Sequence, residues 1–337
     1  MVVFMENIYL CSVSELLTRI YTGDDRLPEG LMKDNFFHSP QLFMLSRDTT
    51  SQRPYMVTVE DKDGHVVAQM LAIMRRRSSW LPPYLYRQCR VLSEGCYRDG
   101  TNKTELFEMM LSTLTKRLGP SMFFMEVSNL SQKMFGYKQF RDNRYFPVRW
   151  MSIHNSLHSH APEERLSKKM LKRIEKSYSR GVITDEVKDE ADFKAFSQLL
   201  HKHNWLKPKR YIPEDDFFRG MRKLGNARLF VTRYHEHIIG CSAVVYSEQQ
   251  SYLWYTAFRR KTYITLHPDE VTLWHALKDA YDRGYEHMYF MDVGLPYSKN
   301  SYREFILRFG GKPVSTYRWF RCNIKWINSL LSWIYRD

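Results

Sequence analysis

A carboxylate stands near the end of a strongly apolar segment of this sequence. Asp292 follows Tyr289-Phe290-Met291 and precedes Val293-Gly294. At the end of a buried strand, a carboxylate can orient an acceptor amine or take its proton, so Asp292 is a candidate catalytic base. It can equally well cap the loop that follows. Glu126 holds the matching place in the similar segment Phe123–Val127 and is a candidate substrate-binding residue.

An aromatic segment offers a possible proton donor. Tyr255 follows Tyr252 and Trp254 in one predicted strand. A phenol there can donate a proton to a leaving group or stack on a ligand, so Tyr255 is the second candidate catalytic residue. The alternative is that it only fills the core. Lys299 and Arg303 follow the Asp292 segment and are expected to face an anionic substrate, unless they are solvated surface.

A predicted helix from Leu166 to Tyr178 carries a dense basic surface. Its apolar residues recur at every fourth position, and the remaining face holds the cations Lys168, Lys169, Lys172, Arg173 and Lys176. Such a set of cations can bind phosphates, so four of them are candidate substrate-binding residues: Lys168, Lys169, Lys172 and Arg173. A solvated basic face is the alternative. The formal net charge of +14 also favours an anionic partner: a nucleic acid, a phosphorylated small molecule or an acidic membrane surface.

Several motifs of phosphate and hydrolytic chemistry are missing from the sequence. It contains neither G-x-G-x-x-G nor G-x-x-x-x-G-K-[ST], and no G-x-S-x-G. These absences argue against dinucleotide-dependent oxidoreductases, P-loop enzymes and the common serine hydrolases. Histidines cluster at 154–160 and 201–203 without nearby cysteines or well-spaced acids, so no metal site is expected.

Composition predicts a folded chain with reduced thiols. Hydrophobic residues make up 43% of 337 residues, and the five cysteines are scattered without a Cys-x-x-Cys pair. No run is long and apolar enough to cross a membrane, and the N-terminus lacks a basic leader, so a cytoplasmic location is expected. The stretch Trp326 to Ile334 has an apolar face with tryptophans. It either docks on its own domain or provides a peripheral contact at a membrane interface.

The elements that position these residues occur twice. Landmarks recur in the same order about 170 residues apart: Asp61–Ala68 with Tyr234–Gly240, Phe123–Val127 with Tyr289–Val293, Phe135-Gly136 with Phe309-Gly310, and Arg149-Trp150 with Arg318-Trp319. A repeat this long predicts two similar domains, residues 1–157 and 158–337.

Each half reads as helices, a hairpin, a third strand, a helix, a strand, a helix and final strands. Thr104–Leu118 has the apolar spacing of a helix. The residue types of Asp61–Gly64 predict a hairpin turn, and Ser14–Tyr21 is predicted to be a short opening helix. The predicted fold class is α/β, with two modules that each have a mixed, mostly antiparallel sheet flanked by helices.

This order, with the strand–helix–strand unit at Ser251–Val293, resembles the GNAT acyltransferase fold, and the duplication resembles the tandem-GNAT proteins related to the Fem peptidyl transferases. The segments that carry the likeness are the basic helix before Gly181-Val182, the strand Tyr252–Tyr255, the helix with Trp274 and Ala280, the segment Arg283-Gly284-Tyr285 leading to Phe290–Gly294, and Asn129–Tyr137 in the first half. The resemblance implies transfer of an acyl or aminoacyl group to an amine of an anionic, cell-envelope type acceptor.

The sequence departs from the GNAT pattern at two places. The family holds the coenzyme A pyrophosphate with a glycine-containing loop before the central helix, whereas Arg259–Pro268 has no glycine and is followed by Asp269 and Glu270. The family's tyrosine acid falls on Ile306. Acyl-CoA and aminoacyl-tRNA therefore both stay open as donors. The different-class alternative is a non-catalytic GNAT pair that binds nucleic acid or an anionic membrane.

Overall fold

The computed structural model describes residues 16–78, 84–204, 211–291 and 293–335. The elements of the first half are β1 (Leu17–Thr22), α1 (Pro40–Arg47), β2 (Gln52–Glu60), β3 (Val66–Ser78), β4 (Leu85–Leu92), β5 (Cys96–Tyr97), α2 (Lys103–Leu118), β6 (Phe124–Ser128), α3 (Tyr137–Asp142) and β7 (Phe146–Ser156). The elements of the second half are α4 (Lys168–Ser179), β8 (Val182–Glu186), α5 (Glu190–Asn204), α6 (Asp215–Arg222), β9 (Ala227–Tyr234), β10 (His237–Ser247), β11 (Gln250–Phe258), α7 (Pro268–Asp282), β12 (His287–Phe290), α8 (Ser301–Leu307), β13 (Lys312–Cys322) and α9 (Lys325–Ile334). Within the described ranges, no helix has the length and apolar character needed to span a bilayer.

Local sequence explains the elements of the first half. The β2–β3 turn closes because the Asp61 carboxylate accepts hydrogen bonds from the backbone N–H groups of Asp63 and His65, while Gly64 takes a positive φ of 80°. Helix α2 begins where the Asn102 side chain accepts a hydrogen bond from the N–H of Glu105. Its buried face then packs into the core of the sheet.

The chain forms two compact units, and the first contains Met1–Arg149 with Thr316–Asp337. Its sheet has the order β1-β2-β3-β4-β6-β13, in which β4 and β6 are parallel and the other neighbours antiparallel. Trp319 of β13 is fully buried and stacks on Phe140 at 4.5 Å between ring centroids. The core of unit 1 therefore depends on a strand from the far end of the sequence.

The second unit contains Trp150–Ser315. Its sheet has the order β7-β12-β11-β10-β9-β8, and here β11 and β12 are the parallel pair. Helix α7 packs its buried residues Leu273 and Leu277 with Leu253 and Phe290 of this sheet. Both units thus place a helix between two parallel strands, β4-α2-β6 and β11-α7-β12.

The predicted fold class is confirmed, because each unit is a mixed and mostly antiparallel sheet flanked by helices, and the order of elements repeats. The last strand of each half completes the sheet of the other unit: β13 pairs with β6, and β7 pairs with β12. The extent of the two copies as residues 1–157 and 158–337 stays a prediction.

Two details differ from the sequence-based expectations. The opening helix at Ser14–Tyr21 is wrong for its described part: Leu17–Thr22 is an edge strand on β2, where the Tyr21 hydroxyl donates to Glu60 at 2.9 Å. The two Phe-Gly landmarks are not equivalent either. Gly136 precedes α3 and Gly310 follows α8, and each glycine is used because its φ is positive.

Candidate functional site

In unit 2, β11 extends beyond its parallel neighbour. Its pairing with β12 joins Gln250–Leu253 to His287–Phe290, and the N–H of Met291 donates a 3.3 Å hydrogen bond to the carbonyl of Leu253. β11 continues to Phe258, and β10 pairs with it on the other side. Among the described residues, no strand pairs with the end of β11 on the β12 side. We call the region beside Thr256–Phe258, past the last paired residue of β12, the opening. His203 borders its far end, where its Nδ1 atom lies 3.1 Å from the carbonyl oxygen and 3.4 Å from the backbone nitrogen of Phe258.

Unit 1 has no such opening at the equivalent place. The parallel pairing of β4 with β6 runs to the end of β4, with Leu92 opposite Ser128. One further hydrogen bond, from the N–H of Ser93 to the carbonyl of Ser128, measures 2.6 Å. The two units share a topology, but only unit 2 separates the two strands within the described part of the chain.

Helix α8 borders the opening. The hydroxyl of Tyr302 lies 3.4 Å from the hydroxyl of Thr256, and the ring of Phe305 lies 6.4 Å from that of Phe258. A β-bulge at Trp254, between the pairs of Ala243 and Val244, increases the local twist of β11. These contacts place the Tyr302 phenol hydroxyl beside the end of β11.

The sequence-based prediction did not identify Tyr302. It lies on the helix that follows β12, one turn before Ile306, where the family's tyrosine acid was sought. Ile306 is fully buried and carries no acid. Residues four apart share a helix face, so the signal available in the sequence was a tyrosine at that spacing.

Arg303 organises the loop between β12 and α8. Its guanidinium donates to the carbonyl oxygens of Leu295 and Ser298, both at 2.6 Å, and to that of Pro296 at 3.4 Å. To bind an anion, as the sequence predicts, Arg303 would have to give up its hydrogen bonds to these loop carbonyls. Lys299 is exposed.

Asn300 fixes the other end of this loop. Its side chain donates to the carbonyl of Val293 at 2.9 Å and accepts from the N–H groups of Tyr302 and Arg303, which caps α8. The candidate base Asp292 lies outside the described residues, and its role stays a prediction.

Tyr255 belongs to an aromatic layer. Its ring stacks on Trp254 at 5.4 Å and meets Phe218 of α6 edge-on at 5.2 Å, and the residue is buried. This position agrees with the core role that was the alternative for Tyr255. Its catalytic role stays a prediction.

The start of α7 is acidic and already neutralised. Arg260 contacts the Asp269 carboxylate at 3.2 Å, and Arg173 donates to both oxygens of Glu270 at 2.9 and 2.6 Å. Both carboxylates are buried. Burial raises the pKa of Asp269. The neighbouring Glu270 carboxylate raises this pKa further, and the Arg260 guanidinium lowers it.

A coenzyme A pyrophosphate does not fit this helix start as it would fit a glycine-rich loop. Two carboxylates occupy the positive end of the helix dipole, and the loop before it lacks glycine. A phosphate at this helix start would therefore meet two paired carboxylates.

The cations of α4 have two different environments in the structure. Lys168, Lys169, Lys172 and Lys176 are exposed, whereas Arg173 is held by Glu270. Helix α4 packs against α7 and against the turn Ile264–Leu266, and Arg180 donates to the carbonyl of Thr265 at 3.1 Å. The lysines are therefore anchored next to the loop that follows β11.

Glu126 belongs to a buried network in unit 1. Its carboxylate contacts Arg90 and Arg318, each at 3.2 Å, and accepts from the Gln88 amide at 2.7 Å. The carboxylate is 5% exposed. This arrangement joins β4, β6 and β13, and substrate binding by Glu126 stays a prediction.

Three histidines of unit 2 lie close together: His154 of β7, His158 just after β7, and His287 of β12. The His287 ring lies 5.2 Å from that of His154 and 5.0 Å from that of His158. Burial lowers the pKa of His154 and of His287. A separate group, Asp61, Asp63 and His65, lies in the exposed β2–β3 turn, where the Asp61 carboxylate already closes the turn. Neither group has the buried ligand geometry of a metal centre.

Comparisons with known proteins identify the same fold. Residues 165–303 match the model of the acetyltransferase (GNAT) domain family. FemX superposes with a TM-score of 0.61 at 10% identity, covering 88% of this chain and 94% of FemX. L-PGS from Bacillus licheniformis superposes with a TM-score of 0.56 at 10% identity, covering 88% of this chain and 92% of L-PGS.

A tandem GNAT protein from the clavulanic acid biosynthesis pathway gives a TM-score of 0.54 at 9% identity, covering 92% of this chain and 99% of that protein. No curated protein sequence matches the chain. Residues 165–303 thus match the acetyltransferase (GNAT) domain family, and the chain as a whole has the fold of FemX and of the tandem GNAT protein.

Proposed function

We propose that this chain is an N-acyltransferase that moves an acyl or aminoacyl group to an amine at the opening beside β11. The observation that carries the proposal is the pair of hydroxyls of Tyr302 and Thr256, 3.4 Å apart, where β11 runs past its pairing with β12. Unit 1 lacks the opening and has a supporting role.

The chemistry follows from these groups. The neutral amine nitrogen attacks the carbonyl carbon of a thioester or ester, and hydrogen-bond donors beside this end of β11 stabilise the oxyanion. The C–N bond forms as the C–S or C–O bond breaks. Tyr302 donates its proton to the leaving thiolate or alkoxide and regains one from water. Asp292 is the predicted acceptor of the proton that the amine loses.

The acceptor is proposed to be anionic, as in a phosphorylated cell-envelope precursor. The exposed lysines of α4 support this, because α4 packs on the loop that follows β11. Two further exposed cations, Arg259 and Lys261, stand on that loop. Phosphates gain charge-assisted hydrogen bonds from such a group of cations.

Mass spectrometry of reaction products tests the proposal. Acetyl-CoA and aminoacyl-tRNA are supplied separately as donors with amines that carry phosphate groups, and one donor is expected to give an amide product. The acids at the start of α7 favour the non-catalytic alternative, a GNAT pair that binds nucleic acid or membrane. RNA binding without any amide product from either donor would support that alternative.

A further inference from the structure

Helix α9 presents an apolar face to solvent. Trp326 and Trp333 are 69% and 68% exposed, and Leu330 and Ile334 are 47% and 53% exposed. These four residues have the spacing of one helix face. The sequence left open whether this face docks on its own domain, and against the described residues of unit 1 it stays exposed.

The rest of α9 is attached to unit 1. The Asn328 side chain accepts from the N–H of Cys322 at 2.7 Å and donates to the carbonyl of Arg144 at 3.0 Å. The ring of Tyr335 stacks on Phe146 at 6.1 Å. The apolar face is therefore held outward by specific contacts on the opposite side of the helix.

A cationic cavity of about 510 Å³ lies beside this face. Arg141, Arg144, Arg321 and Lys325 line it, and none of its lining residues is acidic. Within the described chain, no acid pairs with any of these cations. The Nη1 atom of Arg321 is buried without a hydrogen-bond partner. Trp333 lines the cavity and also belongs to the exposed apolar face.

We propose that α9 docks on the surface of an anionic phospholipid bilayer, with the tryptophan face in the interface and a lipid phosphate in the cationic cavity. Tryptophan favours the headgroup level of membranes. Basic side chains add attraction to anionic lipids, and stable peripheral binding needs two such signals together. Unit 1 supplies both signals within one helix and its neighbours.

The charges argue against a second copy of the chain as the occupant. A two-fold dimer places the same patch of both copies against itself. The four cations beside Trp333 would then face four more, and like charges repel strongly where water is excluded. An anionic surface pairs with these cations instead.

Vesicle flotation without donor or acceptor tests the proposal independently of the transfer reaction. The probes are vesicles of phosphatidylcholine alone and of phosphatidylcholine mixed with phosphatidylglycerol. The protein is expected to float only with the anionic vesicles, and inorganic phosphate is not expected to release it completely. Trp326→Ser with Trp333→Ser should abolish flotation. Arg141→Gln, Arg144→Gln and Lys325→Gln together should weaken binding at least roughly 10-fold.

Matched control variants remove the same kinds of side chain from other parts of the protein surface. Tyr84→Ser with Met134→Ser removes two exposed apolar side chains, and Lys33→Gln, Lys194→Gln and Lys223→Gln remove three exposed charges. Both control proteins should float like the wild type. Equal binding to neutral vesicles, no binding at all, or a concentration-dependent dimer that the tryptophan variants dissolve would each overturn the proposal.

Discussion

The hydroxyl of Tyr302 is the side-chain group that best links the opening in unit 2 to chemistry. It lies beside Thr256 near the end of β11. The family's spacing points to Ile306, which lies one turn further along the same face of α8 and is fully buried. The position along the helix therefore decides which residue reaches the strand.

Removal of this hydroxyl should affect turnover more than folding. Tyr302→Phe should lower kcat by roughly 100-fold, the contribution expected from a general acid, and leave the unfolding midpoint close to that of the wild type. Tyr84→Phe, which removes an exposed phenol of unit 1, is the matched control. Unchanged turnover in Tyr302→Phe would exclude it as the acid.

Asp292 can be tested in the same assay. If it takes the proton of the acceptor amine, Asp292→Asn should reduce turnover by roughly 100-fold while the far-ultraviolet circular dichroism stays unchanged. A variant with reduced thermal stability and normal turnover would assign Asp292 to loop capping.

Glu126 should be required for stability. Glu126→Gln removes the buried carboxylate that Arg90 and Arg318 share, which should cost about 3 to 5 kcal/mol in the free energy of unfolding. Urea denaturation measures this change. Glu29→Gln, which removes an exposed ion-pair partner of Arg26, should change stability by less than about 1 kcal/mol.

At the scale of elements, the basic helix α4 combines two functions that the sequence could not separate. Arg173 and its partner Glu270 join α4 to α7, while the neighbouring lysines remain exposed. The pattern predicted the amphipathic helix and its charge. Which cation is used for packing depends on Glu270, which is 97 residues away in the chain.

The lysines of α4 should therefore act on binding. Replacing Lys168, Lys169 and Lys172 with Gln should weaken binding of the anionic substrate roughly 10-fold and reduce its salt dependence. Isothermal titration at two salt concentrations measures both effects. The triple variant Lys33→Gln, Lys194→Gln and Lys223→Gln is the control. Arg173→Gln should instead lower stability, because Glu270 loses its partner.

Regular periodicity made most elements predictable. The β2–β3 turn, α2, α7 and the paired strands follow local rules of turn chemistry and apolar spacing. β1 was misread because a short edge strand is stabilised by pairing with β2, which no local pattern shows. The loop carbonyls that hold Arg303 are likewise invisible in a sequence.

At the scale of the whole molecule, the exchange of β7 and β13 links the two halves of the sequence. Strand β13 brings Trp319 and Arg318 into the core and the buried charge network of unit 1. Residues 1–157 expressed alone should therefore aggregate, because β6 would keep an unpaired edge. Co-expression with residues 158–337 should restore solubility, as measured by size-exclusion chromatography. A soluble, folded first half would contradict this expectation.

The same exchange sets an order of events during translation. Glu126 and Arg318 are 192 residues apart in the chain. At the usual speed of synthesis, roughly 10 to 40 s pass between their appearance. For that time the nascent first half holds a sheet edge without its partner strand, and Glu126 has Arg90 and Gln88 but not Arg318. A chaperone that shields such edges on the ribosome should therefore matter more for the yield of this protein than for a GNAT chain whose strands all pair within their own half.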